Sequence, residues 1–285
     1  MKNWKNIALA LITAGLFWLI KVQLSFPSAD PGIVSVVLTI ASILFGVLAG
    51  FFISELWSRY AEIRTTHSNR ASFGLNMVKL AEHFYMNEKF KKEFTRLVEK
   101  SSIADEVVEW DEGDLELEYY RDIAESFKCI NLENSKSKTE DEIYLSRLLE
   151  NYEGFVSSTI KLETLGKERL FVSEWFVLYA LSFVVALSLL FLDASNLFYK
   201  IIILIFPAVI AIALRIIYEL DMMLWGKQTV SLEPNQKIFD AIGVLRFYLK
   251  KKRKFIDTKT KNYRTEEDLS KELKEVYNNV TESRK

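Results

Sequence analysis

Cysteine is nearly missing from this chain. Cys129 is the only one in 285 residues, so an intrachain disulfide and a cysteine-cluster metal site are both excluded, and the thiol reads as an inert group in a reducing compartment. Histidine is almost as scarce. His67 and His83 lack the H-E-x-x-H or Glu-x-x-His pairing of helical metal sites and read as ordinary interfacial or solvated residues. Four prolines and ten glycines leave little material for a loop-rich domain. The glycines are scattered and form neither common phosphate-cradling loop, and no serine of the polar region lies in a nucleophile elbow. These absences point to a protein that is not an enzyme and that holds no metal or cofactor.

What is present is sorted into blocks. The net charge of −1 and the 26% of charged residues average two different materials. Apolar blocks cover about 6–53 and 171–217, and charged blocks fill 54–170 and 218–285. The stretch that organises the rest begins at Pro31 and runs for about 24 residues without a charge, to Ser54. At about 1.5 Å per residue this is roughly 36 Å of helix, enough to cross a hydrocarbon core of about 30 Å with some tilt. No Gly or Pro then stops it before a polar stretch that also reads as helix, ending near Arg64. One helix is thus expected to leave the membrane and enter water, with Trp57 and Tyr60 as interfacial aromatics.

This helix carries a pattern. Ser35, Thr39, Ser42, Gly46, Ala49 and Ile53 fall within about 40° of their common direction on a helical projection, and Gly50 beside them completes a Gly-x-x-x-Gly spacing. Such a small, weakly polar stripe lines a narrow water-filled path or seats another helix closely. Phe45, Phe51 and Phe52 offer instead a hydrophobic constriction that gates by dewetting, and the residues alone do not choose between the two. Glu55, Trp57 and Arg59 stand at the mouth, with Glu55 projecting opposite the small stripe.

The other spans follow the same logic. Lys2 and Lys5 precede an apolar run over about 6–24, with Lys21 placed to snorkel toward headgroups. This run reads as a retained helix rather than a signal peptide, because FPSA before Ala29 is a poor cleavage site. The link SFPSADPG turns the chain into the second span, about 33–53. A third span over about 170–192, the DASN turn and a fourth over about 197–217 make a second hairpin. Pro207 is a candidate kink in it, and Arg215, placed at the membrane edge, can pair with Glu219 at i,i+4. Between the hairpins, residues 54–169 read as a helical domain. It has an amphipathic face over 71–100, an acidic loop from Asp105 to Glu118 that lacks the order of a calcium loop, and a helix opened by a Thr139–Glu142 capping box and stopping near Gly166. After 218, Ser231 and Pro234 start a helix through Ile238, Ile242 and Leu245. A basic run from Arg246 to Arg264 is a candidate contact for anionic lipid, and the remaining tail is expected to fray. Nothing reads nucleic acid. Basic residues lie in the termini and the insert rather than at the hairpin tips, so by the positive-inside rule both termini and the insert face the cytoplasm of a cell (inner) membrane. The expected fold is an all-α, multi-pass membrane protein with four transmembrane helices in two hairpins and a helical cytoplasmic insert.

Two segments carry a resemblance. GFFISELWSRYAEIRTTHSNRASFGLNMVKLAEHF, with Trp57, Arg59, Tyr60, Ala71 and Leu75 in register, and ELDMMLWGKQTVSLEPNQKIF, with Leu220, Asp221 and Gly226, resemble the bestrophins, especially the prokaryotic bestrophin-like family. The chain departs from the family pattern at Arg70, where an acidic residue is expected, and at Met222 and Met223, in place of a basic-proline pair. The acidic Ca²⁺ clasp of animal bestrophins has no counterpart after the fourth span. The resemblance implies a homopentameric ion channel whose second span lines a central pore and whose insert extends the conduit. The rival is a membrane-anchored signalling or scaffold protein whose cytoplasmic helices bind a partner.

Overall fold

A computed structural model of the chain describes residues 3–24, 30–84, 88–107, 117–130, 138–192, 196–223, 233–249 and 263–282. These form nine α-helices: α1 (Asn3–Leu24), α2 (Pro31–Ala81), α3 (Glu88–Val107), α4 (Leu117–Ser126), α5 (Lys138–Lys167), α6 (Val172–Phe191), α7 (Leu197–Asp221), α8 (Glu233–Ala241) and α9 (Lys271–Glu282). Short 3₁₀ turns add Phe127–Cys129 and Glu266–Asp268. The described residues contain no strand ladder, only an isolated bridge between Phe247 and Arg264. Most of the acidic run, residues 250–262 of the basic run, Gly226, Ser231 and most of the DASN turn lie outside the described residues.

The chain divides into two compact units, Met1–Tyr60 with Arg169–Trp225, and Ala61–Glu168 with Gly226–Lys285. The expected tail from 218 onward therefore falls mostly into the same unit as the insert.

The first unit holds α1, the apolar part of α2, α6 and α7. Among the described residues, three helical stretches are long and apolar enough to cross a membrane, namely those containing the starts of α2 and α7 and the whole of α6. In α1 the apolar stretch is shorter, Ala8–Gln23. Along α2 the buried positions Val34, Ala41, Phe45, Ala49, Phe52, Leu56 and Tyr60 recur at helical spacing and pack against Leu178, Val185 and Leu189 of α6 and Ile203, Ile217 and Leu220 of α7. In lipid such packing rests on close van der Waals fit rather than on a hydrophobic driving force. α7 continues through Pro207, which is buried inside it. Lys21, expected to snorkel, is half-buried. Its Nζ donates to the carbonyls of Leu189, Leu190 and Leu192 at 3.1, 2.9 and 2.5 Å. The unsatisfied carbonyls that end α6 carry partial negative charge, and an ammonium group satisfies them.

The second unit is built on the polar part of α2. The stretch expected as one amphipathic face over 71–100 is two helices. α2 closes at Ala81, where the amides of His83 and Phe84 bond back to Leu80 and Ala81, and α3 starts afresh at Glu88. Phe84, Phe90, Phe94, Phe127, Tyr120 and Phe155 are buried in one aromatic-rich core with Met77, Ile123 and Leu148. α5 opens at Lys138, one residue before the expected Thr139, and ends at Lys167 rather than Gly166.

The tail does not fray. Leu269 and Leu273 are buried with Ile103, Ala104, Phe239, Phe247 and Leu249 in a second core, which seats α9 on α3. The amphipathic period of α9, apolar at Leu273 and Tyr277, was the signal for this. The α8 helix stops earlier than its apolar period implies. Gly243 takes φ 74°, and the amides of Val244 and Gly243 bond back to Phe239 and Asp240, a Schellman closure that glycine permits without steric cost. The extended segment beyond it is held by Gln236, fully buried, whose side-chain amide donates to Phe247 O at 2.9 Å and accepts from Phe247 N at 3.1 Å.

Candidate functional site

The apolar part of α2 has two faces. One is the packed row just described, which includes Phe45, Phe52 and Ala49 of the candidate pore residues. The opposite face is uncovered. Ile43, Val47 and Phe51 follow one another at four-residue spacing with 59%, 65% and 60% exposure. The small stripe lies along the edge between the two faces. Ser35, Thr39 and Gly46 are exposed, Ser42 and Ile53 are half-buried, and Ala49 is buried. The Thr39 hydroxyl donates back to Ser35 O at 2.7 Å, the Ser42 hydroxyl is buried without a hydrogen-bond partner, and a Cβ added at Gly46 or Gly50 would meet no atom within 4 Å. Of the three phenylalanines, Phe51 alone points away from the chain's own core. Phe45 and Phe52 pack with Leu178, Ile217 and Leu220, a placement that leaves them no room to constrict a path outside the subunit. The Ile43–Val47–Phe51 row is visible on a helical projection, but in an almost wholly apolar segment nothing in the sequence sets it apart.

At the end of this segment the expected mouth residues part company. Glu55 and Trp57 are exposed, with Trp57 stacked on Tyr60 at 6.4 Å between ring centroids. Arg59 is buried, and its Nη2 donates to Asp221 O at 3.0 Å and Leu220 O at 3.4 Å. A cation thus meets the negative end of α7. The buried carboxylate of Asp221 accepts from Leu170 N at 2.8 Å and from Trp175 Nε1 at 3.2 Å, which pins the start of α6. Glu174 accepts from Phe171 N at 2.7 Å in the same turn. Met223, just past α7, takes φ 51°, a left-handed conformation that costs a non-glycine residue about 1–2 kcal/mol, and its amide donates to Leu220 O at 3.0 Å. Arg59, Tyr60, Leu220 and Asp221, drawn from the two separate motif segments, therefore meet in one clasp that joins α2, α6 and α7.

A Bestrophin-like domain model matches residues 7–235. The chain belongs to the bestrophin-like family. No curated protein matches it. Among solved structures, a mutant form of a bacterial bestrophin homologue from Klebsiella pneumoniae is similar, with 11% identity and a TM-score of 0.54 over 84% of this chain and 96% of that one. At that identity the likeness concerns the fold. Family and apolar helices together point to a membrane protein.

The remaining family positions of this bestrophin-like chain lie in the second unit. Arg70, standing where an acidic residue was expected, is 2% exposed. Its Nε donates to Thr159 Oγ1 at 2.7 Å and its Nη2 to Tyr120 OH at 3.4 Å, and its guanidinium lies 4.6 Å from the centre of the Phe155 ring. Ala71 is buried and Leu75 half-buried. His67 is buried rather than solvated, and exposed His83 stacks on Tyr144 at 4.0 Å. Among the described residues no cluster of His, Cys, Asp and Glu is arranged to hold a metal ion. The two ends of the basic run bond inside the chain, Arg246 to Asp240 at 2.7 Å and Arg264 to Glu99 at 2.6 Å.

Proposed function

We propose that this chain is one subunit of a homopentameric ion channel whose α2 helices surround a central pore. The observation that carries the reading is the uncovered face of α2. A 51-residue helix is packed along one side by its own subunit and presents Ile43, Val47 and Phe51 on the other, bordered by Ser35, Thr39, Ser42 and Gly46. A ring of such faces would make a dry constriction beside a small-residue seam, a combination suited to gating by dewetting. Membership of the bestrophin-like family supports the same reading, and catalysis has no part in it.

In this reading α1 is a fourth span, the helices form two hairpins, and both termini and the second unit face the cytoplasm of the cell membrane. Glu55 and Trp57 flank the pore mouth, while Arg59 holds α2 to α7. No charged residue lies between Pro31 and Ser54, so the sign of the ion is set outside the constriction. Native mass spectrometry of the protein in nanodiscs tests the assembly. A pentamer is expected, and a monomer or dimer would leave α2 no axis to line and overturn the reading. Bilayer recordings then test conduction, with Phe51→Ala expected to raise basal current.

A further inference from the structure

We propose that Arg215 and the aromatic residues around it hold the phosphate of a bilayer phospholipid. The argument needs only that the first unit lies in a membrane, and it is independent of whether the protein conducts.

α7 has 25 residues, about 37 Å of helix, against a hydrocarbon core of about 30 Å. Arg215 comes about 27 Å along it from Leu197, at the edge of the apolar layer. The arginine is joined to the protein asymmetrically. Its Nε donates to Glu219 Oε1 at 2.8 Å, and the glutamate side chain is 5% exposed whereas that of Arg215 is 39% exposed. The carboxylate faces inward and the Nη edge of the guanidinium outward, with no further hydrogen-bond partner among the described residues. A guanidinium carries five N–H donors in a fixed fork, and only one of them is engaged.

Aromatic rings frame this edge. The guanidinium carbon lies 5.7 Å from the centre of the Tyr218 ring. Trp175 packs edge-on to Tyr218 at 6.4 Å and stacks on Tyr179 at 5.4 Å. Tyr179 and Tyr218 are 54% and 41% exposed, and their hydroxyls also find no partner among the described residues. Trp175 is anchored by its own bond to Asp221. The result is an amphipathic surface with several outward donors, the Glu219 carboxylate being turned inward. Hydrocarbon satisfies none of those donors, and leaving them unmet is costly. A lipid phosphate satisfies them in the bidentate geometry arginine favours, at the depth where Trp and Tyr concentrate.

The test counts lipids bound to the full-length protein by native mass spectrometry after titration with palmitoyl-oleoyl phosphatidylglycerol, or with a galactosyl diacylglycerol that has no phosphate. Wild type is expected to retain one more phospholipid per subunit than Arg215→Gln, whose retention falls about tenfold, while the galactolipid binds both alike. Arg215→Lys, which keeps the charge but loses the fork, should fall between them. If Arg215→Gln fails to fold, the wild-type protein carries the test, with melting expected at a higher temperature in the phospholipid than in the galactolipid. Equal phospholipid retention in wild type and variant overturns the proposal. So does displacement of the lipid by inorganic phosphate, or loss of subunit assembly without loss of lipid, which would assign Arg215 to a second copy of the chain.

Discussion

At the residue scale, two kinds of glycine separate. Gly154 sits under the Phe73 ring, whose carbons would lie 2.7–2.9 Å from an added Cβ. Gly154→Ala should therefore lower stability by about 1–3 kcal/mol, as overpacking does, and thermal melting measures it. A Cβ added at Gly46 or Gly50 would meet nothing within 4 Å. Gly46→Ala should leave the melting of an isolated subunit unchanged, so any loss of assembly it causes reports packing against another copy. Asp221 is a second clear case. Asp221→Asn keeps one acceptor and loses the other, leaving Leu170 N or Trp175 Nε1 unmet in a buried place, at about 1–3 kcal/mol. Trp175 fluorescence and melting together should register it. The types of these residues were legible in the sequence, but their partners were not. Leu170 and Asp221 are separated by 51 residues, and hydropathy carries no information about such a pair.

At the element scale, the ends of helices proved hardest to read. Gly243 stops α8 although Leu245 continues the apolar period, because a glycine in the left-handed region closes the helix more cheaply than burial of one more leucine would extend it. The composition of α9 reads as a fraying tail because its polar face dominates. Its seat combines the apolar contacts of Leu269 and Leu273 with Glu272, which lies between Arg96 and Lys100 of α3. The hydrogen bond from Lys100, with the field of both cations, holds the Glu272 carboxyl below its ordinary value of 4.5. A lowered folded value stabilises docking above the ordinary value, and the contribution disappears as pH falls through the folded one. The pair is exposed, so the effect is about 0.2–1 kcal/mol. Hydrogen exchange, corrected for intrinsic rates, should show α9 losing protection below pH 4.5 and in high salt, and Glu272→Gln should flatten both dependences. Leu273→Ala should release α9 far more strongly, by about 2–5 kcal/mol.

At the scale of the whole molecule, the channel reading separates the phenylalanines of α2 by consequence. Phe51→Ala should alter current while leaving the melting of the subunit nearly unchanged, since Phe51 is exposed. Phe52→Ala should cost about 3–5 kcal/mol of stability, since Phe52 is packed against α6 and α7. Paired recordings and melting curves check both. If both variants instead lost stability alike, the uncovered face of α2 would be a packing face. The sequence by itself determined the apolar spans, the all-helical class and the passage of α2 from apolar to polar without a break, because these follow from local composition and period. Only the tertiary structure decided which face of the membrane half of α2 is covered, since every face of that half is apolar or only weakly polar and periodicity has little to contrast. It also decided that Arg59 and Lys21 donate to the carbonyls at the ends of neighbouring helices. The carbonyls that attract those cations come into range only when helices distant in sequence are packed side by side.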